Sequence, residues 1–255
     1  MLARRFTVLV AGVDANATRQ ANGETPNTDA VMVISVSPDQ SRIDMISLPR
    51  DTVDIPMPDG TIYHKKVNSI SANLGVDALR GAMSSLLGVP IDHYVELNMD
   101  DFRWMVDAVG GIDVELKAPI SDSKVHLRLP AGLNHLDGAT ALSYSRTRRD
   151  SDYGRAARQQ QVILALVRKW IAPSLGDLVF GLRLRASLLT NITLDEVPTL
   201  LEIGRRALNA KVTGIVLGPP RYSLFVGYEP NSRRGWVMIP NVKAMQAYAR
   251  AALAD

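Results

Sequence analysis

The sequence predicts an α/β fold: a layered α-β-α sandwich with a central mixed sheet and helices on both faces. Short apolar runs rich in β-branched residues alternate along the chain with segments whose apolar residues recur at helical spacing. This alternation is typical of domains in which helices cover a sheet. The 255 residues are 46% hydrophobic and 22% charged, which supplies enough apolar material for a sizeable core. No repeat or long linker divides the chain, so we predict a single domain over residues 1–255.

The predicted strands are apolar runs closed by turn residues. They cover residues 6–12, 30–36, 43–48, 94–98, 112–116 and 212–217. Ser37 and Pro38 begin a four-residue break between the second and third runs, which predicts a hairpin.

The predicted helices cover residues 77–87, 100–109, 136–145, 154–170, 194–208 and 241–253. Asp152 is placed to cap the fourth of them, and Thr193 with Glu196 forms a capping-box pair before the fifth. Pro198 conflicts with a helix that starts at residue 194, because proline is poorly tolerated inside a helix.

Composition excludes several kinds of site. Cysteine is absent, which removes disulfides, thiolate metal sites and cysteine nucleophiles. The 29 basic and 26 acidic residues leave a net charge of +3, too small to indicate nucleic acid without clustering. The longest charge-free stretch has 11 residues, against about 20 for a bilayer crossing, and a strand follows Arg4 and Arg5 directly. We therefore predict neither a membrane span nor a signal peptide. The histidines show no metal-ligand spacing; they are His64, His93, His126 and His135.

Arginines concentrate between residues 144 and 161. Arg146 and Arg148 lie two apart, so an extended segment points both to one side. Arg155, Arg158 and Gln159 share one face of the helix that follows. A helix N-terminus attracts anions, and arginine forks beside it suit a phosphate or diphosphate. The alternative is a solvated charged face with internal Arg–Asp pairs.

Gly154 lies at the start of this helix. The absence of a side chain there predicts a close approach of the backbone to a ligand.

Two further pairs lie at predicted strand ends. Arg50 and Asp51 follow the third strand, at the edge where open α/β sheets bind ligands; a plain turn with an ion pair is the alternative. Asp14 ends the first strand and Asp29 begins the second, so antiparallel pairing would bring their carboxylates together. Two carboxylates beside a phosphate suit Mg²⁺, while capping or turn formation is the alternative.

Six motifs appear in a fixed order: LVAGVD (9–14), NTDAVMVISVSP (27–38), SLPRDT (47–52), DDFRWMVDAVGGIDVEL (100–116), LDGATALSYSRTR (136–148) and DYGRAARQQ (152–160). Together they resemble the LytR–CpsA–Psr (LCP) family of bacterial cell-wall glycopolymer transferases. The specific similarity covers residues 6–167, and residues 168–255 would complete the domain.

The resemblance implies a membrane-anchored protein that faces outside the cytoplasm, with its anchor outside this chain. It implies an apolar pocket for a polyprenyl chain whose diphosphate sits on arginines near Mg²⁺ (or Mn²⁺). The reaction would move a glycan phosphate from the lipid diphosphate to peptidoglycan. By motif, the catalytic residues would be Arg50, Arg146, Arg148, Asp152 and Arg155. Gln159 would also hold the diphosphate, Arg158 and Asp51 would bind substrate, and the metal would be held by Asp14 and Asp29. The apolar Phe102 and Val106 could line the lipid pocket, with ordinary core packing as the favoured alternative for each.

The chain departs from the family pattern at two places. Asn27 stands where the family commonly has arginine, and the short stretch after Arg148 leaves Asp150 and Asp152 as alternatives for one role. Two other functions also stay open. A pyrophosphatase or phosphatase would use the same residues with water as the acceptor. A non-enzymatic nucleic-acid binder would use the arginine cluster and the pI of about 9.2, although aromatic residues make up only 5% of the chain.

Overall fold

A mixed sheet of six strands runs through the residues that the computed structural model describes, namely 4–15, 22, 26–171 and 188–253. In chain order, the strands are β1 (Phe6–Val13), β2 (Thr28–Val36), β3 (Arg42–Leu48), β4 (Ile55–Pro56), β5 (Ile62–Tyr63), β6 (His93–Leu97), β7 (Ile112–Leu116), β8 (Ile120–Asp122), β9 (Leu127–Leu129), β10 (Gly132–Leu136), β11 (Leu189–Thr190), β12 (Lys211–Val216), β13 (Ser223–Tyr228) and β14 (Trp236–Pro240).

The α-helices, numbered along the described residues, are α1 (Ile70–Leu74), α2 (Val76–Leu87), α3 (Met99–Ala108), α4 (Gly138–Arg146), α5 (Asp152–Ile171), α6 (Val197–Arg206) and α7 (Val242–Ala252). Short 3₁₀ turns cover Val67–Ser69, Ser123–Val125 and Ala207–Asn209. No helix in the described ranges is both long enough and apolar enough to cross a membrane.

The strand order of the main sheet is β11-β6-β1-β2-β3-β12. β1 is parallel to β6, and β3 is parallel to β12. β1–β2 and β2–β3 are antiparallel, so the predicted hairpin between the second and third strands is confirmed. Four two-stranded ribbons accompany this sheet within the described residues: β10-β7, β13-β14, β4-β5 and β8-β9.

Side chains alternate along the central strands and so build two layers. Leu9 and Val33 point to one face, where they pack with Met83 of α2 and Met245 of α7 in the largest core cluster. Met45 and its neighbours point to the other face, where α5 contacts β2, β3 and β12. Helices therefore cover both faces, and the predicted α-β-α sandwich is confirmed.

Each predicted helix start is shifted by one to three residues, and two of the shifts have a clear local cause. α5 begins at Asp152, and Ser151 is its cap, because the Ser151 Oγ accepts a hydrogen bond from the Gly154 N–H at 2.9 Å. The prediction of Asp152 as the cap is therefore wrong. α6 begins at Val197, which places Pro198 in the first turn, where proline is tolerated.

The sequence analysis missed every ribbon strand except β7, and it also missed β11 of the main sheet and the short helix α1. The missed strands lie in segments such as 117–135 and 218–240, where strands of two to six residues show little regular alternation. Whether such a short segment forms a strand depends more on its contacts with the neighbouring strand than on its own hydrophobic pattern.

Gln160 fastens α5 to the sheet. Its buried side-chain amide donates to the Ser47 Oγ and to the Ile215 carbonyl, both at 2.8 Å, and so spans β3 and β12. A Cβ at Gly214 would overlap the Gln160 Oε1, so glycine makes room for this contact.

We expect Gln160→Ala to lower the free energy of unfolding by about 1–3 kcal/mol, because it removes buried hydrogen bonds and leaves a void. Denaturant unfolding would measure the change. Gln161→Ala is the matched glutamine on an exposed position of the same helix; it removes one hydrogen bond, from the Tyr144 hydroxyl, and should have a smaller effect. A Gln160→Ala variant as stable as the unmodified protein would contradict this role.

Candidate active site

The candidate site lies at one edge of the main sheet, where β1 ends and β2 begins. These strands are antiparallel neighbours, with Gly12 opposite Ala30, and the Asp14 N–H donates to the Asn27 carbonyl at 2.8 Å. Asp14 and Asp29 therefore lie at the same edge, as the sequence analysis expected.

Arg50 joins this edge from the end of β3. Its Nη1 lies 2.7 Å from the Asp29 Oδ1, and its side chain is partly buried. Burial disfavours the charged guanidinium, but the attraction of Asp29, with smaller contributions from Asp51 and Asp152, raises the pKa of Arg50 above its usual range. Arg50 is thus a fixed cation beside the Asp29 carboxylate.

Arg146 and Arg148 reach the same edge from the end of α4. The Arg146 Nη2 lies 3.5 Å from the Asp14 Oδ1, and the Arg148 Nη2 lies 3.5 Å from the Asp29 Oδ2. Nearly half of each arginine side chain is exposed, so both are open to a ligand.

Arg155 comes from the first turns of α5, and its side chain is buried. Its Nη1 lies 3.9 Å from the Asp29 Oδ2, and its Nη2 lies 3.3 Å from the Asp152 Oδ1. Burial lowers the pKa of the Arg155 guanidinium, and the nearby Arg148 lowers it further. A buried cation beside other cations favours the binding of an anion.

Two adjacent cavities lie at this edge of the sheet, and the site residues line the first of them. The first, of about 350 Å³, opens between the arginines. Its polar lining includes Arg50, Arg146, Arg148, Arg155, Gln159, Asp14 and Asp29. The second, of about 270 Å³, is lined almost entirely by apolar side chains of the sheet, α5 and α6. Val10, Leu97 and Ile163 line both cavities, so the arginines stand at one end of an apolar space.

Phe102 and Gln159 line the first cavity, where the sequence analysis placed them. Val106 is different, because it is fully buried in a hydrophobic cluster and lines neither cavity. The expectation that Val106 touches substrate is therefore wrong for this structure; the position is part of the core.

Arg158 also departs from the prediction. Its Nη2 donates to the Asp150 Oδ1 at 2.8 Å and to the Thr147 carbonyl at 2.6 Å, and it does not line either cavity. Helical spacing placed Arg158 beside Arg155 and Gln159, but its ion pair with the exposed Asp150 turns it away from them. Donation from Arg158 also lowers the pKa of Asp150 below its usual range.

Asp150 and Asp152 are distinguished by these contacts. Asp152 lies 3.5 Å from Arg148 and 3.3 Å from Arg155, two arginines that line the cavity. Asp150 pairs with Arg158 instead. The structure therefore places Asp152 with the site arginines.

Asp51 lies behind Arg50 and not in either cavity. Its Oδ2 is 3.5 Å from the Arg50 Nε, and its Oδ1 accepts from the Lys66 Nζ at 2.6 Å. The sequence analysis missed Lys66, because nothing in its pattern links it to a carboxylate 15 residues earlier. Asn98 was missed as well: it caps α3 and lines the first cavity.

The donor set fits a divalent cation that is completed by substrate oxygens. Asp14 and Asp29 both line the first cavity and supply the hard oxygen ligands that Mg²⁺ prefers. Within the described ranges, no group of three or more Asp, Glu, His or Cys side chains could hold a metal. Mg²⁺ is commonly held by one or two carboxylates together with phosphate oxygens, and a pair of aspartates in a cavity lined by arginines is that kind of donor set.

The fold and the site define an α/β protein that can hold an anion beside an apolar cavity. The model of the LytR_cpsA_psr family matches residues 3–217, and the chain belongs to this family.

Two curated relatives carry the same kind of name. The polyisoprenyl-teichoic acid–peptidoglycan teichoic acid transferase TagU of Bacillus cereus is 32% identical over 75% of this chain. The corresponding transferase TagV of Bacillus subtilis is 31% identical over 68% of it. The matches span 62% of the TagU length and 46% of the TagV length. The crystal structure of B. subtilis TagV superposes with a TM-score of 0.79 at 26% identity, covering 99% of this chain and 98% of that one.

Proposed function

We propose that this protein is a phosphotransferase that moves a glycan phosphate from a polyprenyl-diphosphate carrier to a peptidoglycan hydroxyl. The observation that carries the proposal is the lining of one cavity by Arg50, Arg146, Arg148 and Arg155 directly beside an apolar cavity. A polyprenyl diphosphate joins an anionic group to a long apolar chain, so its two ends match the arginine-lined cavity and the apolar cavity. The names of the relatives, which specify polyisoprenyl-linked teichoic acid and peptidoglycan, support the same reaction.

Phosphoryl transfer requires positioning and charge neutralisation more than covalent help from the protein. In the proposed reaction, the acceptor oxygen forms a bond to the glycan-side phosphorus, the bond from that phosphorus to the bridging oxygen breaks, and the hydroxyl proton passes to the departing phosphate. Polyprenyl phosphate is the leaving group. The site arginines would neutralise the phosphate oxygens, and Asp152 would hold Arg148 and Arg155 in place.

Asp14 and Asp29 would hold Mg²⁺ or Mn²⁺ in this site. When bound, the cation would neutralise charge on the diphosphate oxygens. We propose that the reaction takes place on the outer face of the cell membrane, where the acceptor lies, through an anchor outside this chain.

Product analysis tests the proposed transfer. The protein would be incubated with a polyprenyl-diphosphate-linked glycan, with and without peptidoglycan, and the products separated. We expect peptidoglycan-linked glycan phosphate together with released polyprenyl phosphate. Equal glycan release in the absence of peptidoglycan, with no linked product in its presence, would instead show a pyrophosphatase.

We expect EDTA to reduce transfer at least tenfold and added Mg²⁺ or Mn²⁺ to restore it. The aspartates of the site partly neutralise its four arginines, so a cation is needed to balance the remaining negative charge of the diphosphate. Turnover with and without EDTA measures this effect, and the melting temperature with EDTA controls for unfolding. Asp14→Asn should impair the restoration by Mg²⁺. Full turnover in EDTA would rule out the metal role.

A further inference from the structure

Arg146 and Arg148 flank Thr147, in the connection between α4 and α5. Thr147 is completely buried, and its Oγ1 donates to the Asp122 Oδ2 at 2.5 Å. Its carbonyl accepts from the Arg158 Nη2 at 2.6 Å. The residue between the two cavity-lining arginines is therefore fastened through both its side chain and its main chain.

Arg158 fastens a second point of the same connection. Its Nη1 and Nη2 donate to the two carboxylate oxygens of Asp150, at 3.0 and 2.8 Å. The guanidinium carbon lies 6.0 Å from the centre of the Tyr144 ring, and only 7% of Arg158 is exposed. A planar fork can hold a carboxylate and a carbonyl together, whereas lysine presents a single ammonium group.

Gly154 makes room for this arrangement. A Cβ at this position would overlap the Asp150 carboxylate, which lies over the first turn of α5. The absence of a side chain at Gly154 thus leaves room for the Asp150 carboxylate. The sequence analysis had expected it to leave room for a ligand.

We propose that Arg158 is a positioning residue: through the Thr147 carbonyl and the Asp150 carboxylate, it holds Arg146 and Arg148 at the mouth of the cavity. This inference rests on the proposed function, because it takes those two arginines to bind the diphosphate. Arg158 itself contacts no part of the ligand. Removal of the Arg158 side chain frees the connection between α4 and α5. The affinity for the diphosphate group then falls, whereas the affinity for the apolar chain does not change.

Calorimetric titration with farnesyl diphosphate and with farnesol separates positioning from general stability. We expect Arg158→Met to weaken farnesyl diphosphate binding about tenfold and to leave farnesol binding unchanged, at a temperature where circular dichroism shows the variant folded. Arg158→Lys should weaken farnesyl diphosphate binding as much, because an ammonium group lacks the planar geometry that holds both the Asp150 carboxylate and the Thr147 carbonyl. Gly154→Ala should weaken binding in the same direction. The matched control is Arg206→Met, which removes an exposed arginine paired with Glu202 on α6.

Two outcomes would overturn the proposal. One is equal loss of farnesol and farnesyl diphosphate binding, which would show a merely structural role. The other is an effect that persists without both positioned arginines: if Arg158→Met still weakens binding about tenfold in a variant that already carries Arg146→Met and Arg148→Met, Arg158 does not act through them. We expect Arg158→Met to weaken binding no more than about twofold in that background.

Hydrogen exchange tests the inference without any ligand. Arg158→Met should accelerate exchange of the amides of residues 147–151 at least tenfold, and Arg206→Met should not. Unchanged exchange in Arg158→Met would overturn the positioning role. Failure of the unmodified protein to bind farnesyl diphosphate would overturn the proposed function instead, so the two failures are distinguishable.

Discussion

Replacing Arg155 with methionine should reduce the rate of glycan phosphate transfer by about 10²–10³-fold, the effect expected when one fixed donor to a transition-state oxygen is lost. Arg155 is the most deeply buried arginine that lines the cavity mouth, and it lies between Asp29 and Asp152. Turnover of a polyprenyl-diphosphate-linked glycan measures the change.

The same substitution should leave the melting temperature within a few degrees of the original. Asp29 keeps its contacts with Arg50 and Arg148, and Asp152 keeps its contact with Arg148, so neither carboxylate loses all its partners. Arg206→Met provides the matched arginine control. Loss of transfer in proportion to loss of folded protein would argue that Arg155 is structural, and unchanged transfer would remove it from the site.

The second large effect is expected from Ile163→Trp, because Ile163 lines both cavities and an indole there would narrow the space between them. A buried methylene contributes about 0.8 kcal/mol, so excluding about four of them from the apolar cavity should weaken binding of geranylgeranyl diphosphate about 200-fold. Isopentenyl diphosphate, whose short chain remains at the mouth, should bind the variant as well as the unmodified protein.

Titration of both diphosphates against both proteins would measure this chain-length dependence. Leu133→Trp is the control, since it adds an indole to a leucine that is 75% exposed on β10. An equal loss of affinity for the two diphosphates would show that the substitution disturbs the arginines. Unchanged affinity for the longer one would show that its chain does not enter the apolar cavity.

The central sheet could be predicted because its strands carry their own signal. β1, β2 and β3 are continuous apolar runs, and their antiparallel order places Asp14, Asp29 and Arg50 at one edge without any further information. Burial of both sheet faces leaves such strands few alternatives.

The direction of individual side chains could not be predicted in the same way. Helical spacing puts Arg158 beside Arg155, but a carboxylate eight residues earlier turns its guanidinium away, and that contact depends on the path of the connection. Lys66 reaches Asp51 across a turn for the same kind of reason. The spacing of residues along the sequence indicates which face of a helix or strand they occupy. Tertiary packing determines which nearby group each side chain then contacts.

Asp29 accepts contacts from Arg50 at 2.7 Å, from Arg148 at 3.5 Å and from Arg155 at 3.9 Å. In the proposed reaction, this carboxylate would pair with the guanidinium groups between cycles and so compete with the phosphate oxygens for them. An incoming diphosphate would replace it at the arginines and leave it to hold the cation, and a departing monophosphate, with fewer oxygens, would be more readily replaced by it. Such competition would limit the affinity for product and favour repeated turnover over tight retention of the spent carrier.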